Sequence, residues 1–131
     1  MLYLLDANAV IALLKDPHGQ LACRTRQHRP RDIGLSAVVV HELYFGAFKS
    51  QRRDHNLTLI DGLQFEVVPF DKEDARQAGE IRATLAALGT PIGPYDVLIA
   101  GQACARSLVL VSRNLREFRR VNGLYVENWE E

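Results

Sequence analysis

The chain has 131 residues, and its 16 Lys and Arg balance 16 Asp and Glu, so no net charge draws it toward nucleic acid or an anionic surface. That length suits one domain, residues 1–131, able to bury roughly two-thirds of its unfolded surface without disulfide or metal staples. At 47% apolar and 24% charged it is near globular averages, which excludes disorder, collagen and coiled coil, and no apolar run approaches the roughly 20 residues of a membrane span. The opening Met1-Leu-Tyr-Leu-Leu-Asp6 lacks a basic n-region and a long apolar h-region, so it does not read as a signal peptide and a cytoplasmic location is expected. Cys23 and Cys104 stand far apart and form no CxxC motif; they read as two small semi-buried thiols in a reducing compartment.

Short apolar runs alternate with longer amphipathic ones, the pattern of βαβ units around a parallel sheet. Leu2–Leu5 is continuous enough to be a central, buried strand. A helix follows from Asn8 to Lys15, and Asp16-Pro17 is expected to open a second one with Pro at its first position. Ile33–Leu35 reads as the second strand, and Ser36 as the N-cap of a helix reaching Lys49. A further helix is expected between Arg52 and Leu63, then a third strand over Phe65–Val68, stopped by Pro69. Asp71-Lys-Glu-Asp74 resembles a capping box for a helix carrying Ala75, Ala78, Ile81, Leu85 and Leu88 on one side, ended by Gly89. Pro94 opens a helix to Arg106, Leu108–Val111 is the fourth strand, Leu115–Arg119 a short helix, and Leu124–Val126 a candidate edge strand. The expected architecture is a three-layer α/β/α sandwich with a mostly parallel sheet of four to five strands.

Ligands bind at the carboxyl ends of the strands in such sheets, so the polar groups found there carry the functional signal. Asp6-Ala-Asn8 follows the first strand and Ser112-Arg-Asn114 the fourth. Asp96 lies in the first turn of the Pro94 helix, and Glu42 sits among Val38, Val39, Val40, Leu43 and Tyr44, where a carboxylate is costly unless paired, hydrogen-bonded or bound to metal. Singly, Asp6 reads equally well as a helix cap, Asp96 as a complement to the helix dipole, and Asn114 with Glu117 as an N-terminal box. Together, three acids and an amide from four segments are expected to converge on one rim. Oxygen donors without thiolate or imidazole select a hard cation, Mg²⁺ or Mn²⁺, which relieves repulsion among crowded carboxylates and activates water for phosphodiester cleavage.

These motifs are similar to those of the PIN domain, and within it of the VapC toxins of bacterial toxin–antitoxin systems. The resemblance runs through Met1–Asn8, Leu35-Ser-Ala to Val40-His-Glu-Leu43, Thr90–Ala100, Leu110–Phe118, Val121–Leu124 and Glu127–Trp129. It implies a Mg²⁺- or Mn²⁺-dependent endoribonuclease, held in check by a VapB-type antitoxin and dimeric, alone or in a larger complex with the antitoxin. The family's first acid falls on Asp6, its helix acid on Glu42, its third acid on Asp96 and its fourth acidic or amide position on Asn114. Asn8 matches the polar residue after the first acid, and Ser112 a small hydroxyl that is more often Thr. On this basis Asp6 and Asp96 hold one metal ion, Glu42 positions or deprotonates water, and Asn114 with Ser112 orients Asp6. Arg113 and Asn114 depart from the commoner pattern: one adds positive charge beside the metal site, the other removes a negative one. A catalytically weak or inactive PIN-like module that binds RNA or protein is the alternative.

Two basic runs are candidate RNA-backbone contacts: Arg24, Arg26, His28, Arg29 and Arg31, and, nearer the acids, Arg113, Arg116, Arg119 and Arg120. Tyr44, Phe45, Phe48, Leu57, Leu59 and Ile60 are expected to be mostly core, with the excess forming a groove for an amphipathic antitoxin segment. The motif around Tyr95 is a candidate neighbour of a dimer interface. His18, His28 and His55 are expected to be solvated, and His41-Glu42 is not HExxH because no second His follows. A phosphoacceptor receiver domain needs a second acid near Asp6 and a late Lys, whereas the lysines here are Lys15, Lys49 and Lys72; a haloacid-dehalogenase phosphatase wants Asp where Asn8 stands.

Overall fold

Short runs of Leu, Ile and Val, too apolar to face water on either side, pair into the sheet that organises the molecule. The computed structural model describes residues 1–131. Its strands are β1 (Tyr3–Leu5), β2 (Ile33–Ser36), β3 (Glu66–Val68), β4 (Val109–Val111) and β5 (Val126–Glu127). They lie in the order β3-β2-β1-β4-β5, and every pairing is parallel. The helices are α1 (Ala7–Lys15), α2 (Gln20–Arg26), α3 (Ala37–Lys49), α4 (Arg53–Asp61), α5 (Lys72–Ala87), α6 (Pro94–Arg106) and the single turn α7 (Leu115–Phe118). The expected α/β/α sandwich is therefore present, with five strands. Leu4, Leu5, Ile33, Leu35, Leu110 and Val111 pack its centre, and no helix is long and apolar enough to cross a membrane.

Local chemistry sets the helix starts. The Ser36 hydroxyl accepts the Val38 N–H at 3.1 Å at the head of α3, and Asp71 and Asp74 form a reciprocal capping box at the head of α5. Asp74 is also held by Gln102 and Arg106 of α6, and the Gln102 side-chain oxygen is buried without a partner. Gly101 lets the two helices close: a Cβ there would stand 2.5 Å from the Ala78 backbone.

Four expectations need correction. Pro17 does not open α2; the Asp16 carboxylate accepts the His18 N–H and its carbonyl the Gly19 N–H, making a turn that delays the helix to Gln20. The fifth strand starts two residues later than the expected Leu124–Val126 and ends one residue later, because Glu127 rather than Leu124 finds a partner on β4. His28 is not simply solvated: its ring stacks on the fully buried Trp129 at 5.0 Å and against Tyr3 at 4.7 Å, as the C-terminal tail folds back beside β1. Cys23 is exposed; only Cys104 is semi-buried.

The aromatic stretch of α3 also departs from expectation. Phe45 and Phe48 are 60% and 53% exposed, each covered on one side by a cation, Lys49 and Arg53. Ile60 packs against the core, while Tyr44 donates its hydroxyl to Asp61. Between α1, α3 and α4 a groove of about 520 Å³ remains, lined by Ile11, Leu14, Leu43, Leu59 and Ile60 among others, with Glu42 in its wall.

Candidate active site

The chain leaves β1 toward β2 and β3 on one side and finds β4 and β5 on the other, so the order switches between β1 and β4. At such a point the crossovers diverge and leave a crevice at the carboxyl ends of the strands. Asp6 and Ser112 occupy that rim, each one residue past its strand, with Asp6 N–H bonded to Val111 carbonyl at 3.0 Å.

Asp6 caps α1, accepting the Ala9 N–H at 2.8 Å, so the capping role and a site role coexist. Burial pushes its carboxyl above the usual carboxylate range; the Ser112 hydroxyl and Ala9 N–H oppose the rise, Glu130 adds to it, and Arg113 lowers it. Ser112, 1% exposed, accepts the Asn114 N–H at 2.9 Å through its oxygen, and its hydroxyl is near enough to Asp6 to favour the charged carboxylate. Glu42 is half-buried on α3. Burial raises its carboxyl, His41 lowers it, and Asp6 raises it again. Asp96 feels the strongest field: burial, then the charge and hydrogen bond of Glu117, then the charges of Asp6 and Glu42 raise it to about 6.

Asp6, Glu42 and Asp96, from three segments, therefore repel one another across one crevice, as the sequence suggests. The fourth contribution differs. Asn114 makes no side-chain cap on α7; its amide donates to Glu117 Oε2 at 2.8 Å, and Glu117 is the group that meets Asp96. In the sequence Glu117 shows only the spacing of a capping-box partner to Asn114, which hides its place beside Asp96. The same spacing of three places both side chains on one side of a helical turn, which was the available signal. Asn8 is exposed in the first turn of α1.

A donor set of carboxylates suits a hard dication, and the raised carboxyls are those a dication would return to the charged state. Asp6 and Asp96 are the candidates to hold it. No three His, Cys, Asp or Glu side chains form a ready-made cage, and two carboxylates with the remaining positions left to water fit Mg²⁺, which keeps much of its hydration.

The two basic runs separate in the structure. Arg24 pairs with Glu127 at 3.6 Å and covers Trp129, Arg26 bonds the Pro17 carbonyl, and Arg29 pairs with Asp32, so the first run is largely spent on its own fold. In the second, Arg120 bonds the Pro91 carbonyl at 3.0 Å, tying α7 to the loop before α6. Arg113 and Arg116 are exposed, and Arg113 is close enough to Asp6 to act on its charge. Tyr95 is 46% exposed, with its ring 5.5 Å from that of His41.

The PIN domain family model matches residues 3–124. The chain is 40% identical over 129 residues to the tRNA(fMet)-specific endonuclease VapC of Salmonella typhimurium, spanning 97% of each protein. It is 36% identical over 129 residues to ribonuclease VapC2 of Haemophilus influenzae, again across 97% of each. Its fold matches that in the DNA-bound VapBC structure from Salmonella typhimurium with a TM-score of 0.92 and 40% identity, covering 98% of this chain and 99% of that one. The rim of acids at the strand ends, the parallel five-stranded sheet and these matches agree: the chain belongs to the PIN-domain family, among its VapC ribonucleases.

Proposed function

We propose that this protein is a Mg²⁺- or Mn²⁺-dependent endoribonuclease toxin that hydrolyses RNA phosphodiester bonds and is neutralised by a VapB-type antitoxin. The observation that carries this reading is the meeting of Asp6, Glu42, Asp96 and Glu117 in one crevice, where burial and mutual repulsion raise three of the four carboxyls. Asp6 and Asp96 are the residues that would hold the ion. When bound, a divalent ion neutralises phosphate charge and lowers the pKa of water. Glu42, with its raised affinity for protons, takes one from the attacking water. Water oxygen bonds to phosphorus, the bond from phosphorus to the 3′-oxygen breaks, and that oxygen leaves with a proton from solvent. The products are a 5′-phosphate and a 3′-hydroxyl. Ser112 orients Asp6, while Asn114 holds Glu117 against Asp96.

Glu117 bears on the alternative of a weak or inactive binding module. That alternative rested on the charge missing at Asn114, and Glu117 supplies a carboxylate beside Asp96. Arg113 and Arg116 contact the RNA backbone. The naming of relatives as tRNA(fMet)-specific endonucleases makes a structured tRNA the first substrate to try. The groove between α1, α3 and α4 receives an apolar antitoxin segment, and a basic side chain of that segment answers Glu42. A homodimer is part of the same proposal.

The deciding experiment incubates the purified protein with bulk tRNA in Mg²⁺ or in chelator and maps the ends of the cleaved strands. Mg²⁺-dependent cuts with 5′-phosphates are expected. A 2′,3′-cyclic phosphate product, or cleavage indifferent to chelator, refutes the mechanism.

A further inference from the structure

Two helices of this protein begin with the same spacing and put it to opposite use. In α5, Asp71 stands at the N-cap and Asp74 three residues on. Each carboxylate accepts the other residue's backbone N–H at 3.0 Å, and Asp74, 1% exposed, is further bound by Gln102 and Arg106. Its lone pairs are consumed by structure. In α6, Gly93 stands at the N-cap and Asp96 three residues on, but no capping bond is made.

Glycine is a weaker N-cap than Ser, Asp or Asn. Its usual justification is backbone freedom, and that fails here: Gly93 has φ −54° and ψ 149°, extended backbone open to any residue. Space is the remaining reason. A Cβ at position 93 would stand 3.2 Å from Asp96 Oδ2, tighter than most such contacts, and 3.7 Å from its Cγ, an ordinary contact, so the carboxylate would have to give by a few tenths of an ångström. The Asp96 carboxylate crowds the place that an N-cap side chain would take.

We infer that Gly93 is a positioning residue: by offering neither a Cβ nor a capping oxygen, it keeps Asp96 out of a capping box and leaves its carboxylate unspent by the helix end and free to serve the crevice. This rests on Asp96 being a metal ligand, as proposed above. A serine at 93 would have the two effects that α5 displays. Its oxygen would accept the N–H of residue 96, and the displaced Asp96 carboxylate would swing back to the N–H of residue 93. Helix α6 would gain a cap and the crevice would lose a ligand.

The test uses the full-length protein with Gly93→Ser, Gly93→Ala and Asp96→Asn. Mn²⁺ binding is followed by the loss of the free-ion paramagnetic signal, melting by circular dichroism in chelator, and kcat and KM on tRNA separately. Gly93→Ser is expected to melt no lower than wild type, to bind Mn²⁺ roughly tenfold or more weakly and to lose kcat in proportion, with KM for RNA unchanged. A residue that only supported the fold would lower the melting temperature instead. Gly93→Ala carries the steric part alone and is expected to weaken Mn²⁺ binding less than serine does; it also decides the matter should the serine variant not fold. Wild-type Mn²⁺ affinity in both variants overturns the inference. Wild-type affinity and cleavage in Asp96→Asn overturn the ligand assignment beneath it, which is a separate outcome.

Discussion

Replacing Asp96 with Asn should make the metal-free protein more stable while abolishing its activity. The Asp96 carboxyl is raised from 3.8 to about 6 in the fold, by burial first and then by Glu117, Asp6 and Glu42. A group whose folded value lies above its unfolded one contributes stability that is complete below the unfolded value. That stability is lost as pH rises through the folded value. The loss therefore falls between about pH 4 and pH 7, and at pH 8 all of it is gone. Two pH units correspond to about 3 kcal/mol. Asp96 is half-buried with water on its open side, and screening reduces the figure to roughly 1–1.5 kcal/mol. In a domain of this size that is a shift of about 3–5 °C in melting temperature.

Melting curves of wild type and Asp96→Asn in chelator, from pH 4.5 to pH 8, measure it. The variant should match wild type at the acid end and exceed it at pH 8. Added Mg²⁺ should then raise wild type alone, because a ligand that binds only the folded state stabilises by mass action. A variant less stable than wild type at pH 8, or one with the same pH slope, would refute the claim that these acids crowd one another.

Further predictions concern neighbouring contacts. Glu117→Gln should cost about a hundredfold in kcat, and Asn114→Ala about tenfold, since the amide acts only through Glu117; the reverse ranking in single-turnover assays would return the fourth position to Asn114. Arg113→Ala with Arg116→Ala should flatten the dependence of RNA affinity on log salt, and an unchanged slope in filter-binding titrations removes both from the interface. Arg106→Ala strands the buried Asp74 and should destabilise the protein by about 3 kcal/mol in urea melts. Arg106 and the Asp71 N–H hold the Asp74 carboxyl below its usual value against the pull of burial, so the stability that pairing provides is present above about pH 4 and lost as pH falls. A loss under 1 kcal/mol on Arg106→Ala rejects that account.

The order of strands and helices, the caps at Ser36 and Asp71 and the three acids were readable from the chain because each depends on neighbours within a few residues. Apolar runs bounded by polar turns make strands, and hydroxyl or carboxylate groups at fixed offsets make caps. A carboxylate among valines is conspicuous because burying it alone is costly. The same locality explains the failures. Asp16-Pro17 fits a helix start, but a side-chain turn at the same residues competes with it, and nothing nearby in sequence decides between them. His28 and Trp129 are a hundred positions apart, and their stacking exists only once the tail returns to β1.

What the sequence determined by itself was the kind of side chain brought to the strand ends: carboxylates, with no set of thiolates or imidazoles beside them. Which carboxylate lines the crevice and which holds the fold was decided by the tertiary structure. Asp74 and Asp96 occupy the same place in their helices, yet one is sealed against Gln102 and Arg106 and the other faces Glu117 across an open crevice. An acid's character is set by the charges and donors that packing brings to it from distant parts of the chain, and local spacing cannot encode them.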